Sequence, residues 1–193
     1  LTAYSGSDST GTTQTTTYEY DGAGNMTREI DPYGNAQVNT WNLAYSKLET
    51  STDKNNNTYT RGYDTRGNLI LERDAEGFET TYTIGDYGLK SSSTNARGFT
   101  TTYGYDANGF ISLVTEPEGV VTEFNHDIRG RLYEQTDGNG NIKTIVFDAL
   151  DRMVQQIDPD LVVTSYNYDE VGNKIREVTR SSAIYEFSYD PLN

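Results

Sequence analysis

The sequence predicts an all-β fold, built from antiparallel β-hairpins of about 21 residues that repeat along one continuous sheet. Three observations predict it. An aromatic residue recurs at a nearly constant interval, a turn that begins with Asp and carries Gly fourth follows it, and the side chains between turns alternate with period 2. A repeat of roughly 20–50 residues decides an architecture before any single motif does, because each unit buries its apolar face only against its neighbours.

Stepping by 21 residues from Tyr20, with one step of 22, lands on Trp41, Tyr63, Ile84, Tyr105, His126, Phe147, Tyr168 and Tyr189. Seven of these nine are Tyr, Trp or Phe in a chain that is 12% aromatic, so chance placement does not account for the pattern. A second aromatic row stands two residues earlier, with Tyr18, Tyr82, Tyr103, Phe124, Tyr166 and Phe187. Asp21, Asp64, Asp106, Asp127, Asp148, Asp169 and Asp190 stand one residue later.

The turns come next. Asp21 to Gly24, Asp64 to Gly67, Asp106 to Gly109 and Asp169 to Gly172 place Asp first and Gly fourth. That is the preference of a type I turn whose Asp side chain accepts from nearby N–H groups and whose Gly takes the left-handed conformation of a bulge. About ten residues on comes a second turn: Asp31 to Gly34, Asp74 to Gly77, Asn95 to Gly98, Glu116 to Gly119 and Asp137 to Gly140. Pro32, Pro117, Pro159 and Pro191 each follow an acidic residue at the second turn position, where a fixed φ near −65° suits the turn and no N–H is needed.

Between turns, Phe78, Thr80, Tyr82 and Ile84 share one face, as do Phe99, Thr101, Tyr103 and Tyr105, and Val162, Thr164, Tyr166 and Tyr168. Glu79, Thr81 and Thr83 take the other, polar face. The return strands carry fewer apolar residues: Met26, Leu69, Ile111, Leu132 and Met153 at their starts, Ile30, Ile157 and Val178 near their ends. A broad sheet with an aromatic face must curl or be covered, since an exposed apolar surface of that size associates.

The one 22-residue step falls in Trp41 to Leu48, so the slip is expected inside a turn, where it flips no strand face. Residues 1–17 read as an irregular Thr/Ser/Gly-rich lead-in strand, with Asp8 to Gly11 as a half-repeat, and residues 18–193 as about eight repeats in one continuous domain. Neither end offers a cap, and the N-terminus carries no Met and no basic-then-apolar leader, so the chain is expected to be a piece truncated at both ends of a longer array.

Composition bounds the chemistry. Leu, Ile, Val and Phe total 37 of 193 residues, which with a net charge of −14 falls near the disordered range, while sixteen Tyr argue for a fold in which Tyr replaces the aliphatic side chains. Zero Cys excludes disulfides and thiolate sites, and a single His excludes a His-based metal cluster. A balance of 15 basic against 29 acidic residues argues against nucleic acid and anionic membranes as partners, and no apolar run approaches the roughly 18 residues of a membrane-spanning helix.

The motif of an aromatic, Asp, two variable residues, Gly, Asn or Arg, and Leu, as in Tyr63 to Leu69 and Asp127 to Leu132, resembles the YD repeat of Rhs proteins, over residues 18–193. That family includes bacterial Rhs toxins, the encapsulating component of insecticidal toxin complexes, wall-associated proteins and teneurins. The resemblance implies a long antiparallel sheet that spirals into a hollow shell, often around a C-terminal toxin and closed by a self-cleaving aspartyl-protease-like segment. The repeats here are too few for a closed shell, and Asp190 to Asn193 lacks the Gly expected after Pro in that segment.

Weighed individually, the candidate chemical residues read as structural. His126 fills the second aromatic slot and Asp127 the turn slot, with no nucleophile at a fixed distance. Asp137 to Asn141 resembles a calcium loop but lacks the alternating second carboxylate and terminal Glu of the helix-loop-helix type. No catalytic, metal or cofactor residue is therefore assigned. The expected role is a non-catalytic segment of a YD shell or scaffold in a secreted or surface protein, enclosing or presenting a toxin or other effector, with flanking repeats as partners. The alternative is an assembly or adhesion module that self-associates through open sheet edges into a filament or tube, or binds glycans or a cell-surface receptor.

Overall fold

The computed structural model describes residues 2–7, 11 and 13–190, and among these it is β-strand and turn with one 3₁₀ turn at Asp86–Gly88. The chain divides into two units, residues 1–100 and 101–193. In the first, β1 (Thr2–Ser7), β2 (Thr13–Tyr20), β3 (Met26–Ile30), β4 (Ala36–Asn42), β5 (Lys47–Thr52), β6 (Thr58–Tyr63), β7 (Leu69–Arg73), β8 (Glu79–Ile84) and β9 (Lys90–Thr94) follow one another, each antiparallel to the next. The second begins one residue into β10 (Thr100–Tyr105), and β10, β11 (Ile111–Thr115), β12 (Val121–His126), β13 (Leu132–Thr136), β14 (Ile142–Phe147), β15 (Met153–Ile157), β16 (Val163–Tyr168), β17 (Lys174–Val178) and β18 (Ile184–Glu186) do the same. The expected all-β hairpin array is what the chain forms. The readings placed on Asp8 to Gly11 fall largely, and those on Pro191 to Asn193 wholly, outside the described residues.

Both sets of turns have one geometry. In the turn after β2, the Gly24 N–H donates to the Asp21 carbonyl at 3.1 Å and the Asp21 N–H to the Asn25 carbonyl at 2.9 Å. The same two bonds recur in the turn after β3, where Gly34 donates to Asp31 at 3.0 Å and Asp31 to Asn35 at 2.9 Å. The fourth residue has positive φ throughout: 87° at Gly24 and Gly34, 81° at Gly67, 80° at Gly140. The one-residue excess is absorbed in the turn Asn42 to Lys47, where Ser46 takes φ 49° and Trp41 still pairs with Leu48.

Ladders alternate in length. Within a YD hairpin, β2 and β3 pair four times, with a bulge between Glu19 and Tyr20; between hairpins, β3 and β4 pair only from Arg28–Val38 to Ile30–Ala36. The bulge re-phases each return strand. Ile30 faces Thr17, Ile157 faces Thr144 and Val178 faces Ser165, so these aliphatics stand on the face opposite Tyr18, Ile145 and Tyr166.

The aromatic face does not form a closed core. Among the described residues no apolar side chain is buried, and Asn39, 6% exposed, is the only buried polar one. Tyr18, Tyr63, Tyr82, Tyr103 and Tyr166 are half-buried by strand neighbours, while Tyr59, Phe78 and Phe99 are 45%, 62% and 51% exposed. The expectation that Tyr replaces an aliphatic core is corrected in that respect: a single sheet layer covers its rings from the sides only.

Candidate functional site

Three periodic contacts make up the chemistry of this surface. The first is within the turn. The Asp21 carboxylate accepts the N–H groups of Ala23 (2.9 Å) and Asn25 (2.8 Å) at Oδ1 and the Asn25 side-chain amide (2.9 Å) at Oδ2. Asp31, Asp53, Asp64, Asp137 and Asp169 repeat this set. The Asn side-chain amide is the largest cause holding the carboxyls of Asp21, Asp31, Asp53, Asp64 and Asp137 below the usual carboxylate range, with the turn N–H groups adding to it. Asp127 uses the Arg131 guanidinium for the same purpose, and Asp148 chiefly the Arg152 backbone N–H.

The second contact joins one hairpin to the next. Trp41 Nε1 donates to the Met26 carbonyl (2.9 Å), Tyr63 Oη to Leu48 (2.8 Å), Tyr168 Oη to Met153 (2.7 Å) and Tyr189 Oη to Lys174 (2.9 Å), each spanning 15 residues. In each case the inter-hairpin ladder has ended two residues before the accepting carbonyl, as at Arg28–Val38, Thr50–Thr60, Gln155–Ser165 and Arg176–Glu186. The ring therefore supplies a donor where the backbone stops doing so, which explains Tyr or Trp in preference to an aliphatic residue. At Met26 the buried Asn39 amide adds a second donor at 3.2 Å.

The third contact places the residue that closes a turn against the ring sixteen positions on. Lys47 Nζ lies 5.6 Å from the Tyr63 ring centre, the Arg131 guanidinium 4.7 Å from Phe147, and the Arg152 guanidinium 4.8 Å from Tyr168. Lys47 also donates to the Gly67 carbonyl at 2.7 Å and Arg152 to the Asp169 carbonyl at 2.9 Å, tying successive turns. Between Phe110 and His126 the relation becomes ring on ring, with centres 5.3 Å apart. His126 Nδ1 is buried with no hydrogen-bond partner.

No group of three or more His, Asp or Glu among the described residues is arranged to hold a metal ion. The carboxylate of Asp137, in the calcium-like stretch, is engaged by its own turn. A cavity of about 210 Å³ is lined by Tyr59, Arg61, Glu72, Arg73 and Phe78 among others, and the Glu72 carboxylate accepts the Tyr82 hydroxyl at 2.6 Å and faces Arg61 at 3.5 Å.

The 15- and 16-residue relations were not read from the sequence. Their signal was present, because Lys47, Arg131 and Arg152 stand directly before the apolar residue that opens a return strand.

The RHS Repeat family matches residues 1–36, 88–120 and 105–142. In those stretches, just under half of its length, the chain carries the RHS repeat. No curated protein matches it. Among solved structures, its repeats are similar to those in the crystal structure of TcdB2-TccC3-Cdc42, with a TM-score of 0.53 and 15% identity over 94% of this chain and 14% of that one. They are also similar to TcdB2-TccC3 without its hypervariable C-terminal region, with a TM-score of 0.54 and 15% identity over 97% of this chain and 14% of that one. A Tc holotoxin pore of Photorhabdus luminescens gives a TM-score of 0.52 and 16% identity over 94% of this chain and 13% of that one. The chain thus spans about one seventh of the length of the structures it matches.

Proposed function

We propose that the chain is a non-catalytic wall segment of a YD-repeat shell, in a secreted or surface-displayed parent whose shell encloses or presents a toxin or other effector. The observation that carries the reading is the repetition itself. Between Asp21 and Asn173, turn Asp side chains and the Trp41, Tyr63 and Tyr168 rings repeat the same ties, strand to strand and turn to turn. Surfaces spent on such ties suit a wall, and similarity to about one seventh of a Tc complex chain suits a section of one. The flanking repeats are then the nearest partners, continuing the ladder at either end.

The test is protection in the parent protein. Purified parent is treated with protease, and any domain that follows the repeats is followed by mass spectrometry, with and without the wall-weakening pair Tyr63→Ala and Tyr168→Ala. Protection lost in the double variant supports enclosure. A downstream domain digested equally fast in both overturns it, and regular filaments of the parent in the electron microscope favour the assembly alternative.

A further inference from the structure

The cavity beside Tyr59 gathers residues at which the sequence departs from its own repeat. Tyr59 stands where Thr16, Thr80, Thr101, Thr122 and Thr164 stand in other hairpins, and Arg61 where Tyr18, Tyr82, Tyr103, Phe124 and Tyr166 do. The turns opened by Asp31, Asp53 and Asp137 are closed by an Asn whose side-chain amide donates to the second carboxylate oxygen. The turn opened by Asp74 is closed by Phe78 instead. Asp74 Oδ1 still accepts the N–H groups of Glu76 (3.1 Å) and Phe78 (2.8 Å), and Oδ2 is left without that amide.

The register puts these side chains on one face. Arg61 pairs with Glu72 and Glu72 with Thr80, so Tyr59, Asp74 and Phe78, each two residues from one of them, project from the same side of three adjacent strands. All six line one space of about 210 Å³. That is below the roughly 300 Å³ at which sites for drug-sized molecules begin, and it suits one small ring. Tyr59 and Phe78 are both exposed, and their backbones stand two strand spacings apart, about 10 Å, with Asp74 between them. The lining carries two arginines and two carboxylates, so neither sign of charge is favoured. Glu72 Oε2 accepts the Tyr82 hydroxyl, whereas Oε1 faces Arg61 Nε at 3.5 Å, longer than a good hydrogen bond.

We propose that this cavity binds one neutral pyranose unit of a glycan. A sugar ring has an apolar C–H face and a rim of hydroxyls, which is the chemistry on offer: aromatic rings for the face, two carboxylate oxygens and a guanidinium for the rim. Hydroxyls donate to Asp74 Oδ2 and Glu72 Oε1 and accept from Arg61. Glu72 and Asp74 lie two residues apart along the chain, about 7 Å, and a pyranose with its hydroxyls spans a similar distance. The inference does not rest on the shell reading, because the site lies within one run of three strands.

The probes are the methyl glycosides of glucose, galactose and mannose, titrated into the full chain and followed by saturation-transfer NMR. Saturable binding of at least one is expected, with sorbitol, which keeps the hydroxyls and lacks the ring, bound roughly tenfold more weakly. The variants return repeat residues to their places, so that the fold is kept. Tyr59→Thr removes one ring, and Phe78→Asn removes the other while giving Asp74 Oδ2 the amide that other turns have. Each weakens the glycoside by about tenfold or more and leaves the melting temperature close to that of the unsubstituted chain. Asp74→Asn keeps the turn, since Asn95 makes the same two Oδ1 bonds at the matching place, and weakens binding by about tenfold, the worth of one hydrogen bond to a charged group. No saturable binding of any of the three glycosides, or sorbitol bound as tightly, overturns the proposal. Affinity unchanged in Phe78→Asn also overturns it, and if that variant does not fold, Tyr59→Thr decides in the same way.

Discussion

The Arg152 guanidinium lies 4.8 Å from the centre of the Tyr168 ring, and that ring's hydroxyl donates at 2.7 Å to the Met153 carbonyl, the residue after Arg152. One side chain thus receives a cation on its face and closes the ladder with its tip. The two roles separate by substitution. Tyr168→Phe keeps the face and loses the tip, leaving the Met153 carbonyl short of a donor, and should cost about 1 kcal/mol in urea unfolding. Tyr168→Ala loses both and should cost roughly 2 kcal/mol, less than the loss of a fully buried ring because Tyr168 is half-buried. A cycle with Arg152→Ala should return a coupling of about 0.5–1 kcal/mol, the range of an exposed cation–π pair. A coupling of zero would mean the stacking is incidental.

The turn aspartates make stability depend on acid pH. Their folded carboxyls lie below the ordinary value of 3.8 at Asp21, Asp31, Asp53, Asp64, Asp127, Asp137, Asp148 and Asp169. The unfolded chain therefore binds protons that the folded chain still refuses, and stability rises with pH across that window. It is whole above about pH 5 and falls as pH drops through the ordinary value toward the lower folded ones. Melting temperatures measured between pH 6 and pH 3 should decline steeply only in the lower part, and Asp64→Asn should flatten the decline while lowering the melting temperature at pH 6. A profile unchanged by Asp64→Asn would remove that carboxylate from the account.

Leu161 is the misfit among the turns. It occupies the fourth position, where φ is 63°, and is 82% exposed, so its side chain gives up little packing in return for a left-handed backbone. An L-residue there costs about 1–2 kcal/mol, whereas Gly costs roughly 0.5–1 kcal/mol in chain entropy. Leu161→Gly should raise stability by about 0.5–1 kcal/mol, and the reverse change at the matching place, Gly119→Leu, should lower it by about as much. A stability loss on Leu161→Gly would show that Leu161 is held by contacts its exposure does not reveal.

The strands, the turns and the aromatic rows were legible because each has a local cause: Asp binds N–H groups two and four residues on, Gly relieves the fourth position, and alternation follows the pleat. Register across the 22-residue step was legible for the same reason, since Trp41 and Leu48 flank a turn. What was not legible rests on the third dimension. Ile30, Ile157 and Val178 change face because a bulge inside the ladder, separate from the turn glycine, sits between them and the turn, and no local propensity marks that one. The cation beneath Phe147 comes from Arg131, at the start of the neighbouring strand, and becomes visible in sequence only once the sheet has fixed a spacing of sixteen. Ile84 is legible as a non-aromatic residue in the ring row, but the residues around it come from neighbouring strands.

The longer turn that absorbs the register slip also touches its neighbour. Tyr45, within that turn, donates its hydroxyl to the Thr65 carbonyl and lays its ring over Gly67, where an added Cβ would stand 2.9 Å from Tyr45 Cδ1. Gly140 has a nearly identical backbone, φ 80° against 81°, with open space around it. Comparing the two isolates the ring contact from backbone strain. Gly140→Ala should cost about 1 kcal/mol for its left-handed φ alone. Gly67→Ala should cost about 2 kcal/mol or more, since either the ring or the turn must shift as well. In a Tyr45→Ala background the two costs should converge. If Gly67→Ala remains the more damaging change there, the turn backbone and not the ring is what forbids a side chain.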